Sequence, residues 1–268
     1  MHTLRYSYHM QLNFGEPAHD HQFKLRCFPS SDERQKISDE RIEIYPRHYG
    51  VEQPDSFGNR CIYGAARQEH ERFSVDVEGT AEIHGGIFLK AEGGNVGIFR
   101  YATGLTQAGE NIRRLHAMLD FGDMSGYSKA VGMMQGLYEA FRYVQGVTGV
   151  NTTAEEAVTL GRGVCQDYAH ILLALCRLDR IPCRYIAGMI PGEGATHAWT
   201  EIYDEGLWRP LDPTHNRECD GTYIKISSGR DAQDCAINQG VFTGGGRQTQ
   251  EVKVIVREDN TCIRLSLS

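Results

Sequence analysis

The sequence predicts an α+β fold in which a small antiparallel β domain precedes a core of helices packed on an antiparallel sheet. Three observations support this. Residues 1–85 alternate polar and apolar side chains in short runs such as TLRYSYHMQL and RIEIYP, as half-exposed strands do. The runs AGENIRRLHAML and SKAVGMMQGLYEAFRYVQ have apolar residues at helical spacing. Strand patterns return in IPCRYIAGMI and HAWTEIY.

The glycine-rich stretch 85–97 separates the two patterns. We therefore predict two domains, an N-terminal antiparallel β domain of residues 1–85 and a core of residues 86–268. The core is expected to end with two strands, EVKVIVRE and TCIRLSLS.

Composition excludes several classes of function. The 268-residue chain is 40% hydrophobic and 24% charged, as globular proteins are, and its net charge of −7 argues against a general nucleic-acid binder. Neither a signal-peptide pattern nor a run of ~18 apolar residues is present in the sequence. We therefore expect a cytoplasmic protein with no membrane partner, whose eight cysteines are thiols.

The stretch GRGVCQDYAH, residues 161–170, places a cysteine where a loop becomes a helix. Helix N-termini carry partial positive charge and free N–H groups, which stabilise a thiolate. The backbone N–H of Cys165 could also bind an oxyanion. The apolar positions that follow cover most of the helix circumference, so this helix should be central and buried.

A base for this thiol is expected on the hairpin formed by HAWTEIY, the turn DEG and LWRPLD. If Tyr203 faces Leu207, then Ala198 lies opposite Asp212; a shift of one residue places Trp199 there instead. In either register, Asp212 lies on the strand beside His197. The sequence thus predicts a Cys165, His197, Asp212 triad.

Two other interpretations remain open. Cysteine often simply packs in a core, and a histidine on a strand is usually structural. Zinc also accepts Cys, His and Asp, but the separations of 32 and 15 residues are longer than compact zinc sites use, and there is no C-x-x-C pair. We therefore expect no metal and no cofactor.

Residues near the predicted triad are interpreted as structural unless a role is evident. Asp167 is expected to complement the helix dipole or to tie down a loop, and His170, which could bond Asp167 one turn earlier, is expected to be structural. His215 and Asn216 follow from turn chemistry, although either could bond to the triad. Trp199 could wall a substrate cleft or belong to the core.

Several blocks of the sequence resemble the bacterial transglutaminase-like proteins. They are GRGVCQDYAHILLALCRLDRIPCRYIAGMI, HAWTEIY, WRPLDPTHN and GRDAQD with GVFTGGGRQTQEVKV, each in the family's order, while the β region with DSFGN resembles the N-terminal domain of these bacterial proteins. The resemblance implies the papain-like fold of the transglutaminase-like superfamily, in which the helix carrying the nucleophile packs on an antiparallel sheet.

The resemblance also implies roles for the triad. Cys165 would attack a carboxamide carbon to give a thioester, His197 would protonate the leaving amine, and Asp212 would orient His197. Classical transglutaminases use a tryptophan upstream of the cysteine as an oxyanion donor, but both tryptophans here, Trp199 and Trp208, lie downstream.

The second oxyanion donor is therefore open, with Gln135, Tyr143 and Gln145 as candidates. We expect hydrolysis of amide or isopeptide bonds in a protein or peptide substrate. The alternatives are crosslinking by transamidation and a non-catalytic interaction module that keeps the fold.

Overall fold

The structure is a computed structural model that describes residues 1–90, 96–119, 121–122 and 124–259. The strands in these residues are, in chain order, β1 (His2–Leu25), β2 (Gln35–Tyr45), β3 (Tyr49–Pro54), β4 (Arg60–Ala66), β5 (His70–Ile83), β6 (Leu89–Lys90), β7 (Arg142–Tyr143), β8 (Arg162–Gly163), β9 (Cys183–Met189), β10 (Gly192–Gly194), β11 (His197–Asp204), β12 (Leu207–Asp212), β13 (Arg217–Glu218), β14 (Ile224–Gly229), β15 (Asn238–Gly244) and β16 (Gln248–Glu258). The helices are the 3₁₀ helices Val96–Arg100 and Gly104–Thr106 and the α-helices α1 (Glu110–Met118), α2 (Gly126–Ala140), α3 (Ala154–Leu160) and α4 (Cys165–Leu178). No helix in the described part of the chain is both long and apolar enough to cross a membrane.

Strand β1 organises the first antiparallel sheet. Its first half lies between β16 and β5, and its second half, from Ala18, lies between β15 and β4. The pairing register with β5 changes between Asn13 and Ala18, a shift that bends a strand. Strands β2 and β3 then extend the sheet by pairing with β5 and β4. One long strand thus connects both halves of the β domain.

The last described strands correct the predicted domain division. Strands β15 and β16 pair with β1, so residues 238–258 belong to the first sheet and not to the core of residues 86–268. The alternation in EVKVIVRE indicates a half-buried strand but not which sheet it joins, because its partner is more than 200 residues away in sequence. The predicted strand TCIRLSLS lies outside the described residues.

The second sheet carries the helices and confirms the predicted α+β core. Its strand order is β13-β12-β11-β9-β14, with β6 beside β12, and its pairs are antiparallel. Helix α4 packs on β11 and β9, and α1, α2 and α3 pack against α4. Every residue of α4 from Asp167 to Arg177 is buried, as the sequence predicts for a central helix.

Two side-chain amides of the first domain hold strand β14 at the edge of the second sheet. The amide of Asn59 donates to Ser228 O at 2.8 Å and accepts from Ser228 N–H at 2.7 Å. The amide of Gln35 bonds Lys225 in the same way, at 2.8 and 2.9 Å. Each amide pairs with one residue of β14 as a neighbouring strand would. It thereby provides partners for backbone N–H and C=O groups that would otherwise be unpaired at the edge of the sheet.

Replacing Asn59 with alanine should destabilise the fold. The variant leaves the N–H and C=O of Ser228 without their partner, and Ser228 is only 6% exposed. We expect the free energy of unfolding to fall by about 3 kcal/mol. Chemical denaturation measures this loss, and the matched change at exposed Asn151 should stay within about 0.5 kcal/mol of the parent. Equal losses in the two variants would contradict the role given to Asn59.

Candidate active site

The thiol of Cys165 lies at the first residue of α4. Val164 before it is extended, and its C=O accepts the N–H groups of Asp167 and Tyr168, so the helix starts here. The side chain of Asp167 secures the start, because its Oδ2 accepts Val164 N–H and the Thr148 hydroxyl, each at 2.7 Å. Cys165 is partly exposed. Its thiol therefore sits at the positive end of a buried helix, within reach of solvent.

The hairpin of β11 and β12 brings His197 to Asp212. Tyr203 pairs with Trp208 and Thr200 with Leu211. Continuing this register places Trp199 opposite Asp212, which is the second of the two registers considered above. His197 begins β11 and Asp212 ends β12, so their side chains meet, with His197 Nε2 at 2.8 Å from Asp212 Oδ2.

The carboxylate of Asp212 is wholly buried and richly hydrogen-bonded. Its Oδ2 accepts from Tyr223 Oη at 2.7 Å and lies 2.7 Å from His215 Nδ1, in addition to the His197 contact. Its Oδ1 accepts the backbone N–H groups of Thr214 at 2.9 Å and His215 at 3.3 Å. Burial alone would raise the pKa of this carboxyl, but the hydrogen bonds from His197 and His215 hold it well below its usual range. Asp212 is therefore an anion.

The imidazole of His197 lies between this anion and the thiol. Because Nε2 bonds Asp212, the second ring nitrogen, Nδ1, is left for Cys165, which is close enough to the ring to raise its pKa. Burial opposes protonation of the ring, which is only 8% exposed, but Asp212 and Cys165 outweigh it and raise the pKa of His197 to about 9. The structure thus brings together all three residues of the predicted triad.

One set of possible metal ligands converges within the described residues. His197, Asp212 and His215 each offer an atom within 4.8 Å of the others, and Cys165 is not part of this set. Zinc accepts such ligands at ~2.0–2.2 Å. Here, however, Asp212 Oδ2 already lies 2.7 to 2.8 Å from both imidazoles and the Tyr223 hydroxyl. The geometry favours a hydrogen-bonded carboxylate over a metal centre.

The structure gives partners to two residues of α4. Asp167 ties down a loop, as considered, through Thr148. The possible bond between His170 and Asp167 is not found among the described residues; instead, His170 Nε2 accepts Ala232 N–H at 3.1 Å. Burial lowers the pKa of His170 to about 4, so the ring is neutral and structural.

Around Asp212, sequence analysis underestimated one residue and missed another. His215 was expected to follow from turn chemistry, yet its ring bonds the carboxylate. Tyr223 was not singled out, because a lone tyrosine just before a strand carries no signal of its partner. Trp199 is 0% exposed and packs edge-on against Tyr223 at 5.3 Å between ring centres, which places it in the core and not on a cleft wall.

A thiol on a buried helix that faces an imidazole and a carboxylate on an antiparallel sheet defines the papain-like class of cysteine enzymes. Comparison with protein families refines this class. Residues 113–213, which contain Cys165, His197 and Asp212, match the transglutaminase-like superfamily, and residues 2–82 match the bacterial transglutaminase-like N-terminal region. The chain thus contains a transglutaminase-like superfamily core preceded by a bacterial transglutaminase-like N-terminal region. The match to this core supports cysteine-based catalysis in general.

Two mycobacterial proteins match part of the chain. An uncharacterized protein of Mycobacterium leprae (strain TN) is 36% identical over 122 residues, which are 42% of this chain and 43% of that protein. Another from Mycobacterium tuberculosis (strain ATCC 25618 / H37Rv) is 30% identical over 137 residues, or 45% and 44% of the two chains. The matched part of this chain thus spans less than half the length of these relatives.

A crystal structure from Cytophaga hutchinsonii has the same fold. That protein, proposed to be a cysteine protease, aligns with a TM-score of 0.80 at 24% identity, covering 97% of this chain and 91% of its own. At this identity the likeness establishes the fold alone.

Removing the charge of Asp212 should lower the pKa of His197. In Asp212→Asn the ring stays buried but loses the anion at its Nε2, so we expect its pKa to fall from about 9 towards the ordinary ~6.5. Imidazole NMR signals followed across pH measure this shift. Exposed Asp220 provides the control variant Asp220→Asn, which should leave the titration in place. An unshifted His197 in Asp212→Asn would contradict the electrostatic account.

The same pKa predicts how stability depends on pH. The folded-state pKa of His197, about 9, exceeds the unfolded value of ~6.5, so its contribution is complete below ~6.5 and is lost as pH rises through about 9. We therefore expect the difference in free energy of unfolding between the parent and His197→Gln to shrink as pH rises from ~6.5 to about 9, by at most about 3 kcal/mol. Urea denaturation at several pH values measures it. An advantage that stays constant with pH would refute this linkage.

Proposed function

We propose that this protein hydrolyses amide or isopeptide bonds through a thioester at Cys165, as a peptidase or amidase. The observation that carries the proposal is the position of the His197 ring, which lies 2.8 Å from Asp212 Oδ2 through Nε2 and close enough to Cys165 for the thiol to raise its pKa. A thiol, a base and an orienting carboxylate in this order are the elements of nucleophilic acyl transfer.

Acylation uses the proton that His197 carries. The Cys165 sulfur attacks the carbonyl carbon, a C–S bond forms, and the carbonyl electron pair moves onto oxygen. When the tetrahedral intermediate collapses, the C–N bond breaks and the leaving nitrogen takes the proton of His197. Asp212 remains ionised throughout, since its hydrogen bonds hold its pKa well below the usual range, and it stabilises the imidazolium.

Deacylation returns the site to its starting state. Neutral His197 takes a proton from water as the water oxygen attacks the thioester carbon. The C–S bond then breaks, the carboxylic acid leaves, and the sulfur departs as a thiolate beside the protonated ring. No redox partner or cofactor is needed for either step.

The choice of acceptor separates hydrolysis from transamidation. A primary amine attacking the same thioester would crosslink proteins with the same three residues. Hydrolysis is the simpler proposal because water needs no binding site of its own. A non-catalytic module is disfavoured because its binding function would not require a buried anion hydrogen-bonded to an imidazole beside a thiol.

Product analysis in isotopic water tests the proposal. A library of glutamine- and lysine-containing peptides is incubated with the full chain in H₂¹⁸O, with and without methylamine, and analysed by mass spectrometry. We expect new carboxyl groups that carry ¹⁸O, and none with Cys165→Ala. Cys219, the other partly exposed cysteine in the described residues, gives the matched control Cys219→Ala, which should keep activity.

Other products would point to the alternatives. Methylamides formed in place of ¹⁸O-labelled acids would indicate transamidation. Identical, unreacted peptides with the parent and Cys165→Ala would favour the interaction module.

A further inference from the structure

The proposed hydrolysis, on which this inference rests, needs His197 to hold a proton in one step and to lose it in the next. The protonated ring gives its proton to the leaving nitrogen, and the neutral ring then takes one from water. The Asp212 anion favours the protonated ring, because a nearby opposite charge stabilises a cation. A group that weakens the attraction between Asp212 and the imidazolium would therefore assist the second step.

Three side chains donate to a single oxygen of Asp212. His197 Nε2 lies 2.8 Å from Oδ2. His215 Nδ1 and Tyr223 Oη each lie 2.7 Å from the same atom. A carboxylate oxygen offers about two lone-pair sites, so the three donors share its charge. His215 thus competes with His197 for one anionic oxygen.

Asp212 itself fixes the position of the His215 ring. Its Oδ1 accepts the backbone N–H groups of Thr214 and His215, at 2.9 and 3.3 Å. This is the turn that an aspartate forms with the residues after it, and it leads the His215 ring back to Oδ2. The rings of His215 and His197 are 5.2 Å apart between centres. Because Asp212 is an anion, it only accepts, and Nδ1 of His215 carries the hydrogen.

His215 is the donor of this group that can be changed without disturbing the buried part of the site. Its side chain is 43% exposed, whereas Asp212 is 0% and His197 is 8% exposed. Replacing an exposed ring leaves no cavity in the core, which is the usual cause of large losses of stability. The role of His215 can therefore be tested in a folded protein.

The other ionisable groups around Asp212 and His197 stay in place when His215 is changed. Arg217 Nε donates to Tyr223 Oη at 3.1 Å, which leaves the tyrosine hydrogen for Asp212. The remaining groups that act on this pair include Cys165 at the start of α4, Tyr223 just before β14, Arg217 of β13 and Cys219 directly after β13.

We propose that His215 is a positioning residue that shares the Oδ2 atom of Asp212 with His197 and so limits how firmly Asp212 holds the proton of His197. His215 does not touch the substrate in this role and transfers no proton. Its N–H draws charge from the oxygen that stabilises the imidazolium. After acylation, a larger fraction of His197 is then neutral and can take the proton of the water that attacks the thioester carbon.

Two measurements on the full chain test this role. Imidazole NMR signals followed across pH give the pKa of His197 without any substrate. For the second, Cys165 is acetylated with 4-nitrophenyl acetate, the excess reagent is removed, and mass spectrometry follows the loss of the acetyl group at several pH values. Acetylated His197→Gln gives the uncatalysed rate.

The variants separate the N–H donor from the bulk of the ring. His215→Phe removes the donor and keeps an aromatic ring, whereas His215→Asn keeps an N–H donor on a shorter side chain. His9→Phe is the matched control, because the side chain of His9 is 39% exposed and its Nδ1 lies 2.6 Å from Asp76 Oδ1 in the first sheet.

We expect the pKa of His197 to rise in His215→Phe by about 0.5 to 1 pH unit, the loss of one shared hydrogen bond. The pH midpoint of deacetylation should move upward with it, so that the rate at neutral pH falls about threefold to tenfold. His215→Asn should stay closer to the parent than to His215→Phe, and His9→Phe should match the parent.

Three results would overturn the inference. An unmoved or lowered pKa of His197 in His215→Phe would show that the two rings do not compete for Asp212. Slower deacetylation at every pH with the same midpoint would indicate a structural effect only. A midpoint in His215→Asn displaced as far as in His215→Phe would mean that the N–H donor is not the cause.

Failure of the proposed function would look different. The acetyl group of the parent would then be lost no faster than that of His197→Gln. The NMR titration would still decide whether His215 shares the carboxylate, because a raised pKa of His197 in His215→Phe does not depend on hydrolysis.

Discussion

The site depends on a carboxylate that stays ionised although it is wholly buried. A buried charge is costly unless it is paired and hydrogen-bonded, and Asp212 receives hydrogen bonds from side chains of His197, His215 and Tyr223 and from two backbone amides. This anion fixes the orientation of His197 through Nε2 and turns Nδ1 towards Cys165. It also offsets the effect of burial on the imidazole, so that the ring can carry a proton.

The first domain supports this arrangement from several sides. Strand β10, which precedes His197, pairs with β16 of the first sheet, and Glu193 bonds Lys253 there at 2.7 Å. The amides of Gln35 and Asn59 hold β14, which pairs with β9, the neighbour of β11. The β domain thus holds both the strand that precedes His197 and the β14 edge of the sheet that contains His197. The first sheet therefore supports the position of the site in the second.

Local features of this fold could be predicted from the sequence, and long-range partners could not. The start of α4 at Cys165 and the hairpin that pairs His197 with Asp212 follow from glycines, helical periodicity and a tight turn, which act within a few residues. The pairing of β16 with β1 and the bond from Tyr223 to Asp212 depend on tertiary packing that leaves no local pattern.

The most direct measurement is the rate of iodoacetamide labelling at each cysteine of the native protein, followed by mass spectrometry as a function of pH. His197 holds its proton up to about pH 9, so a thiolate at Cys165 has a cationic partner in neutral solution. We expect Cys165 to react faster than every other cysteine at neutral pH, and His197→Ala to abolish that advantage. Labelling of Cys165 no faster than of Cys219, or an undiminished rate in His197→Ala, would contradict an imidazole-activated thiol.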